Sequence, residues 1–302
     1  MSNGLEKLKD VLSDDKVVHI KDAATRNGEW STPYPIGFQT IDDAIKGGVR
    51  EGDLIVGTGL SGCGKTTTFQ AVSINLCKQG HSCLWFSYEV IIDNLYAKFK
   101  EMGNYDDKLE IFTPKNLSSG NLEWVQEKIK ESIVKNNSKF IFIDHVDYLA
   151  PKKGIKGTDQ KRMVLGEICR ELKRMAIDLK VTIFLIAHIK KVQGRAVEMQ
   201  DISESGDLYK IADLVFTVGR NTSIENVGGQ KISVMTNLST FRILKNRITG
   251  ECPYFEYEYI NNMICPLDPE TIIVEEEEEV VEKVVVKEKP RRRQGKIIGI
   301  DD

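Results

Sequence analysis

The stretch Gly59-Leu60-Ser61-Gly62-Cys63-Gly64-Lys65-Thr66 organises the rest of this 302-residue chain. It fits the pattern G-x-x-x-x-G-K-[ST], a loop that cradles phosphate groups. The residues from Asp53 to Gly57 predict a short buried strand before it, and those from Thr66 to Gln79 predict an amphipathic helix after it. Because a strand, this loop and a helix follow one another, we expect a phosphate-binding loop and not a chance match.

The residue types of the stretch explain how it would hold a nucleoside triphosphate. Glycines let backbone N–H groups converge on phosphate oxygens, and the following helix points its positive N-terminal end at the same anion. The Lys65 ammonium supplies a charge for the β- and γ-phosphates, and the Thr66 hydroxyl can bind a Mg²⁺ that bridges them. We therefore predict ATP, or another NTP or dNTP, together with Mg²⁺. The residues assigned to this ligand are Gly59, Ser61, Gly62, Cys63, Gly64, Lys65, Thr66 and Thr67.

Composition limits the class of protein. The apolar content of 41% is enough for a buried core, and the net charge of -3 argues against a uniformly basic nucleic-acid binder. The six cysteines include no C-x-x-C pair, which predicts neither a structural zinc site nor a disulfide framework. The N-terminus has no apolar signal segment, and no apolar run is long enough to span a bilayer. We expect a soluble cytoplasmic protein with reduced thiols and no membrane contact.

Predicted strands and helices alternate from residue 36 to residue 219. The clearest strand runs from Lys139 to Asp144, and its continuous apolar residues indicate burial on both faces, as in parallel sheets. Further strands are predicted at Ser82 to Ser87, Leu109 to Phe112, Val181 to Ala187 and Asp213 to Gly219, with helices between them. The alternation predicts an α/β fold, a mostly parallel twisted sheet flanked by helices, with C-terminal antiparallel hairpin strands.

Composition also divides the chain into three parts. Residues 1–35 carry a weak helical pattern and a proline-containing linker, and we expect this segment to dock on a neighbouring copy. Residues 36–268 form the globular body. Residues 269–302 contain the acidic run Glu275 to Glu279 and the basic run Arg291-Arg292-Arg293, which are typical of a disordered tail. A docking arm for a basic partner is the alternative.

Acidic and imidazole side chains at predicted strand ends complete a candidate hydrolytic site. Asp144 can hold Mg²⁺ opposite Thr66. Glu89 can polarise a water molecule for attack on the γ-phosphate, and His188 can sense that phosphate through a hydrogen bond. For Glu89 and His188 the alternative is an ordinary solvated residue at the end of a strand, which position alone would favour.

Basic residues suggest two further kinds of contact. One basic loop follows the His188 strand and contains Lys190, Lys191, Gly194 and Arg195; another follows the Asp144 strand and contains Lys152, Lys153 and Lys156. Each can bind a polyanion or be merely solvated. Lys245 and Arg247 lie two residues apart, which places them on one face of a predicted late strand. In a head-to-tail assembly such a pair can reach the neighbour's γ-phosphate as an arginine finger; in a monomer it is a plain surface pair.

The order of these motifs resembles the RecA-like motor domain of hexameric replicative DNA helicases of the DnaB type, and especially the helicase half of phage primase-helicases. The resemblance runs from about Ile36 to about Leu267. It rests on the ordered set Gly37-Phe38, Gly47-Gly48, Gly52-Asp53, the phosphate loop, Phe86-Ser87-Tyr88-Glu89, Ile143-Asp144-His145, Ala187-His188, Asp201 to Gly206, Ala212 to Val215 and Arg242 to Gly250. The Asp201 and Lys245-x-Arg247 segments separate this group from recombinases of the same fold.

The resemblance implies an ATP hydrolase that forms a ring, expected to be a hexamer, translocates 5′ to 3′ on single-stranded DNA and unwinds the duplex. It implies that Glu89 is the catalytic base, His188 the γ-phosphate sensor, and Arg247, with Lys245 beside it, the finger that acts on the neighbouring subunit. Arg220 and Tyr257 fall where the family holds the nucleotide base, and the segment from Lys190 to Gln200 falls at its central DNA-binding loop.

The resemblance also implies partners and a setting. We expect the cytosol of a bacterium or of a phage-infected host, a separate primase, since no primase or zinc-binding domain precedes residue 36, and a DNA polymerase that contacts the acidic tail. Two other functions stay open at this point. One is a recombinase-like ATPase that forms filaments, and the other is an ATP-binding regulatory module that is not a motor.

Overall fold

A nine-stranded sheet forms the centre of this computed structural model, which describes residues 19–24, 30–103, 105–118, 121–151, 157–189, 206–227, 230–260 and 263–266. The chain divides into two units, Met1–Leu267 and Asp268–Asp302, and the second unit lies outside the described residues. Of the predicted N-terminal helical segment, the structure describes a short helix, α1 (Ile20–Ala23). Among the described helices, none is both long and apolar enough to cross a membrane.

The strands and helices have the following bounds. The strands are β1 (Leu54–Gly59), β2 (Ser82–Ser87), β3 (Ile111–Phe112), β4 (Ser138–Asp144), β5 (Thr182–His188), β6 (Leu214–Val227), β7 (Gln230–Asn246), β8 (Tyr254–Ile260) and β9 (Met263–Pro266). The other described helices are α2 (Gln39–Ala44), α3 (Lys65–Lys78), α4 (Ile92–Glu101), α5 (Leu122–Asn136), α6 (Thr158–Leu179) and α7 (Gly206–Ile211), with a 3₁₀ turn at Val146–Leu149.

The order of the strands confirms the predicted fold class. The sheet runs β3-β2-β4-β5-β1-β6-β7-β8-β9, parallel from β3 to β6 and antiparallel from β6 to β9. In parallel strands the carboxyl ends share one edge of the sheet. The phosphate loop follows β1, Glu89 follows β2, and Asp144 and His188 end β4 and β5. The fold therefore gathers four distant parts of the sequence at one edge.

Apolar layers bury both faces of the sheet, as its continuous apolar strands predict. On one face Phe69 of α3 packs edge-on against Phe142, Phe184 and Phe216, with ring centroids 5.5 to 5.9 Å apart. On the other face α6 packs Ile168 and Leu172 with Val56, Ile143 and Leu185. Ile55 packs in one apolar layer and Val56 in the other, which holds β1 in position between them. The position of β1 in turn sets where the phosphate loop begins.

Several element boundaries differ from those predicted, and three of them bear on the site or the sheet. β6 continues to Val227, beyond the predicted end at Gly219, because it forms a long hairpin with β7. β3 comprises two residues and begins at Ile111, not at Leu109. β7 ends at Asn246, so Arg247 lies beyond the strand and does not share a strand face with Lys245 as predicted. The cause is Asn246, whose Oδ1 accepts hydrogen bonds from the N–H groups of Ile248 and Thr249 and turns the chain.

Candidate functional site

The phosphate loop is built around a close approach between two backbone segments. Gly59 has φ 146°, and a Cβ at this position would lie 2.3 Å from the Val218 carbonyl oxygen and 2.7 Å from the Cys63 sulfur. Only glycine fits such a contact. Gly64, with φ 99°, then turns the chain into α3. The Lys65 ammonium is buried and donates to the carbonyl oxygens of Gly59 (3.1 Å) and Leu60 (2.7 Å), so its charge stays inside the loop.

Thr66 and Asp144 meet across the sheet edge, as predicted. The Thr66 hydroxyl donates to Asp144 Oδ2 at 2.7 Å. The other carboxylate oxygen, Oδ1, is buried, and no described residue donates a hydrogen bond to it. Burial raises the pKa of Asp144, and the Thr66 hydrogen bond opposes that rise. A buried oxygen acceptor without a partner beside a threonine hydroxyl is an oxygen-only donor set, which fits Mg²⁺.

Glu89 lies between two histidines. Its Oε1 is 3.2 Å from His145 Nε2 and 3.3 Å from His188 Nε2, and the two imidazole rings are 4.3 Å apart. Burial, and next the positive charge of Lys65, lower the pKa of His188. The structure thus brings the predicted base and the predicted γ-phosphate sensor into direct contact.

His145 is a site residue to which the sequence interpretation gave no role. It is buried, with Nδ1 3.2 Å from Asp147 Oδ2, and Lys161 lies 2.8 Å from the other oxygen of Asp147. The hydrogen bond to His145, together with Lys161, holds the pKa of Asp147 well below its usual range. The sequence feature that identifies it as a candidate is its position directly after Asp144, at the same edge of the sheet as Glu89. Which way the imidazole points depends on tertiary packing.

Lys245 and Arg247 lie at the other end of the sheet from their own phosphate loop. Arg247 donates to Asp213 Oδ1 at 3.2 Å, and Asp213 Oδ2 accepts from the backbone N–H of Leu54, the first residue of β1. Gly59, where the loop begins, is the last residue of that strand, and six strand residues span roughly 16 Å. The pair therefore lies about the length of a strand away from its own phosphate loop, and its action on another copy of the chain stays a prediction.

Lys245 also holds the end of α7. Its ammonium donates to the carbonyl oxygens of Tyr209 (2.6 Å), Lys210 (2.8 Å) and Ala212 (2.6 Å). Burial, with the nearby Arg247 charge as the next cause, lowers the pKa of Lys245 to about 8. Arg247 adds a bond of 2.7 Å to the Lys210 carbonyl oxygen. The pair predicted as a finger is thus tied to α7 within the chain.

The two residues predicted to contact the nucleotide base, Arg220 and Tyr257, do not lie together on one surface. Arg220 lies in β6 and donates to the Thr236 carbonyl oxygen at 3.2 Å. Tyr257 is fully buried against Phe38 and Phe241, with ring centroids 5.4 and 4.9 Å away, and burial raises its pKa to about 12. Tyr257 is thus a core residue in this arrangement, and the role of both residues at a nucleotide base stays a prediction.

The predicted DNA contacts lie outside the described residues. These are Lys190, Lys191, Gly194 and Arg195 in the first basic loop. The second basic loop, with Lys152, Lys153 and Lys156, lies outside the described residues as well. What the structure describes are the ends of the first loop, which leaves β5 after His188 and joins α7 at Gly206. The loop is therefore continuous on one side with the contact between Glu89 and His188, and on the other with the helix that Lys245 holds.

Known proteins resemble this chain in sequence. The family described as "DnaB-like helicase C terminal domain" matches residues 92–264. The replicative DNA helicase DnaB of Helicobacter pylori is 23% identical over 244 residues, 72% of this chain and 49% of that relative. The DNA repair protein RadA of Campylobacter jejuni is 29% identical over 163 residues, 54% of this chain and 34% of RadA. A DNA helicase/primase of Enterobacteria phage T3 is 26% identical over 138 residues, 43% of this chain and 22% of that relative.

These relatives are longer than the region matched, since the chain spans about half of DnaB and less of the other two. The fold, too, has solved counterparts. A DnaB-like replicative helicase, whose structure was determined together with its interactions with primase, superposes with a TM-score of 0.66 at 17% identity, covering 88% of this chain and 71% of that chain. This likeness confirms the RecA-like α/β fold that the sequence predicts.

Proposed function

This chain belongs to the DnaB-like helicase C terminal domain family, and from that membership we propose that it is the ATP-dependent motor of a replicative DNA helicase. It forms a ring, translocates on single-stranded DNA in the 5′ to 3′ direction and unwinds the duplex. ATP, or another NTP or dNTP, with Mg²⁺ supplies the energy. Its setting is the cytosol of a bacterium or of a phage-infected host.

The observation that carries the proposal is the meeting of Thr66, Asp144 and Glu89 at one sheet edge beside the phosphate loop. Bound Mg²⁺ would neutralise charge between the β- and γ-phosphates, and Thr66 with the free oxygen of Asp144 would hold it. Lys65 exchanges its bonds to loop carbonyls for bonds to phosphate oxygens. Glu89 orients the attacking water and accepts its proton, while His188 links the γ-phosphate position to Glu89.

An oligomer is needed to complete this site. Transfer of a phosphoryl group develops negative charge, which an arginine from a second subunit commonly stabilises. Arg247 lies at the edge of the sheet opposite its own phosphate loop, which supports a head-to-tail contact in which it reaches the next subunit. Closure of such contacts gives a ring, and we propose a hexamer. Residues 1–35 dock on the adjacent copy.

Coupling to DNA is assigned to the segment between β5 and α7. It contains Lys190, Lys191, Gly194 and Arg195, and it follows directly on the end of β5, where His188 contacts Glu89. Backbone tracking by lysine and arginine is electrostatic, so binding to single strands should weaken steeply with salt. A separate primase and a DNA polymerase that contacts the acidic tail complete the proposed assembly.

Strand separation on a forked DNA with Mg-ATP tests this function, with Glu89→Gln as the matched variant. We expect the wild-type chain to unwind the fork, and the variant to keep nucleotide binding while hydrolysis falls by about 10² to 10⁴-fold. The isosteric amide retains the contacts to the histidines but accepts no proton. A folded wild-type chain that binds ATP and hydrolyses it without unwinding would contradict the motor. Equal, negligible turnover in both proteins would instead indicate a regulatory module.

The similarity to RadA supports a second candidate, a recombinase-like ATPase that pairs strands. Both candidates use the same hydrolytic site, so turnover does not separate them. Their assemblies do, because a head-to-tail contact that closes gives a ring and one that does not gives a filament. Electron microscopy of the chain with a non-hydrolysable ATP analogue and single-stranded DNA should show closed rings; open filaments would favour the recombinase.

A further inference from the structure

Three ligand atoms of the kind that bind transition metals converge at the hydrolytic site. They are Glu89 Oε1, His145 Nε2 and His188 Nε2, and they all lie within 4.8 Å of one another. The two distances from Glu89 Oε1 are 3.2 Å and 3.3 Å. Ligand atoms placed 2.0 to 2.2 Å from a tetrahedral zinc ion are themselves separated by about 3.3 to 3.6 Å. The spacing around Glu89 therefore matches two edges of a zinc tetrahedron.

The second ring nitrogen of His145 has the partner that a metal-bound histidine usually has. Its Nδ1 lies 3.2 Å from Asp147 Oδ2. Nδ1 also lies 3.3 Å from the backbone nitrogen of Asp147, whose N–H it accepts when it carries no proton. When Nδ1 carries the ring proton, Asp147 Oδ2 accepts it, and the Nε2 lone pair is then free for a metal. Asp147 is held in turn by Lys161 at 2.8 Å. This carboxylate lies outside the three ligand atoms, and it is the partner that the metal-binding tautomer of His145 requires.

Packing holds one residue of the cluster in place, and solvent reaches the other two. His145 is buried and ordered by packing against Tyr148, with ring centroids 4.9 Å apart. Glu89 and His188 are partly exposed, with 37% and 31% of their side-chain surface accessible, so a cation can enter from solvent. Two imidazoles and one carboxylate leave a fourth tetrahedral position for water.

We propose that Glu89, His145 and His188 form a binding site for a zinc-class transition-metal dication. Its ligand atoms differ from those of the Mg²⁺ position, because imidazole nitrogens select zinc, cobalt or nickel, whereas Mg²⁺ prefers the oxygens of Thr66 and Asp144. The effect on turnover rests on the proposed function. A metal on Glu89 occupies the oxygen that would accept the proton of water, so the bound ion stops hydrolysis reversibly.

Calorimetry measures the binding of Zn²⁺ alone to the full chain, and Co²⁺ serves as a spectroscopic probe of the same site. We expect one site whose cobalt complex gives the strong visible bands of a tetrahedral ion. His145→Asn or His188→Asn should weaken Zn²⁺ binding by more than about 100-fold, and Asp147→Asn by about 10 to 100-fold, because outer partners of ligating histidines contribute on this scale. His19→Asn, a change at an exposed histidine that caps α1, is the matched control.

The same variants decide between a metal site and a hydrogen-bonded cluster. Zinc bound elsewhere, such as at the exposed Cys252, is unaffected by the substitutions, so the difference between variants measures the cluster alone. Retained binding of a fluorescent nucleotide shows that each variant is folded. The proposal is overturned when wild-type protein gives no tetrahedral cobalt spectrum, or when folded His145→Asn and His188→Asn proteins bind Zn²⁺ as tightly as His19→Asn.

Inhibition is measured separately, in excess Mg-ATP with added Zn²⁺ and a chelator that removes zinc but not magnesium. We expect Zn²⁺ to stop ATP hydrolysis and the chelator to restore it. A second outcome separates the two proposals. If zinc binds at the cluster but the zinc-free protein with Mg²⁺ hydrolyses no ATP, the proposed function is contradicted and the metal site still stands. Zinc binding at the cluster with unchanged hydrolysis would overturn the inhibitory role.

Discussion

At the scale of single residues, Asp144 divides its two oxygens between two tasks. Oδ2 accepts the Thr66 hydroxyl, and Oδ1 is buried without a described partner. An unpartnered buried oxygen costs free energy, about 1 to 3 kcal/mol for a typical polar group. Such a cost is common where a site is preorganised for a ligand, and here the ligand is the proposed Mg²⁺.

Asp144→Asn should lower ATP hydrolysis by at least about 100-fold, since a metal clamp contributes several kcal/mol to the transition state. The Mg²⁺ concentration that the wild-type chain needs for hydrolysis should also depend on pH. Burial raises the pKa of Asp144, and only the ionised carboxylate binds Mg²⁺, so protons compete with the cation as pH falls. We expect the Mg²⁺ concentration that half-saturates hydrolysis to rise as the pH is lowered from neutrality, with a weaker dependence in Asp144→Asn. An equal dependence in both proteins would contradict this role.

Gly59 is a second residue whose identity follows from geometry. Gly59→Ala should destabilise the chain by roughly 1 to 3 kcal/mol from backbone strain alone, and the contacts at 2.3 Å and 2.7 Å should add to that loss. Gly219, in the adjacent strand, is the matched control, because a Cβ there meets nothing within 4 Å. Denaturant unfolding compares the two variants. Equal stability of Gly59→Ala and Gly219→Ala would show that the close approach to Val218 is not essential.

At the scale of elements, α7 is joined to the late strands by the two cations predicted as a finger. Lys245 donates to three carbonyl oxygens at the end of α7, and Arg247 makes a further bond to one of them. The segment assigned to DNA contact leads into α7. A movement of these cations toward a neighbouring phosphate would therefore release one end of that segment.

Lys245→Met should destabilise the chain by about 1.5 to 3 kcal/mol, because it keeps the length of the side chain but removes hydrogen bonds from a charged group. Lys130→Met is the control, since Lys130 is exposed on α5. Thermal unfolding of both variants measures the difference. If Lys245→Met and Lys130→Met unfold at the same temperature, the anchoring of α7 is not a stabilising contact.

The elements that sequence alone predicts are those whose signals are local. The phosphate loop carries a local motif, and the strands that end at Asp144 and His188 carry continuous apolar runs with sharp ends, so sequence predicts each of them within one or two residues. The length of β6 was missed because it depends on pairing with β7, which is a nonlocal property. The orientation of His145 and the burial of Tyr257 were missed for the same reason, since both follow from packing between distant segments.

At the scale of the whole molecule, the parallel sheet separates two functional ends. The phosphate loop, Glu89, Asp144 and His188 lie at one edge, and Arg247 lies beside Asp213 at the other. A single chain therefore carries the residues predicted for hydrolysis at one edge and, at the far edge, the cation predicted to act on a neighbouring site. Head-to-tail repetition is the symmetry that brings these two edges together.

Mixing two inactive variants tests this arrangement most directly. Glu89→Gln removes the base and keeps Arg247, whereas Arg247→Ala removes the cation and keeps Glu89. In mixed assemblies, an Arg247→Ala subunit whose neighbour is Glu89→Gln regains both groups at the shared interface. With equal, random mixing, about one interface in four is complete, because the intact base and the intact cation each occur with a chance of one half.

The decisive measurement is the ATP hydrolysis rate of an equimolar mixture of Glu89→Gln and Arg247→Ala, with each variant alone and the wild-type chain as references and native mass spectrometry to verify that mixed oligomers form. We predict that each variant alone is nearly inactive and that the mixture recovers about a quarter of the wild-type rate, if complete interfaces act independently. A mixture of verified mixed oligomers that hydrolyses ATP no faster than the separate variants would contradict a site shared between subunits.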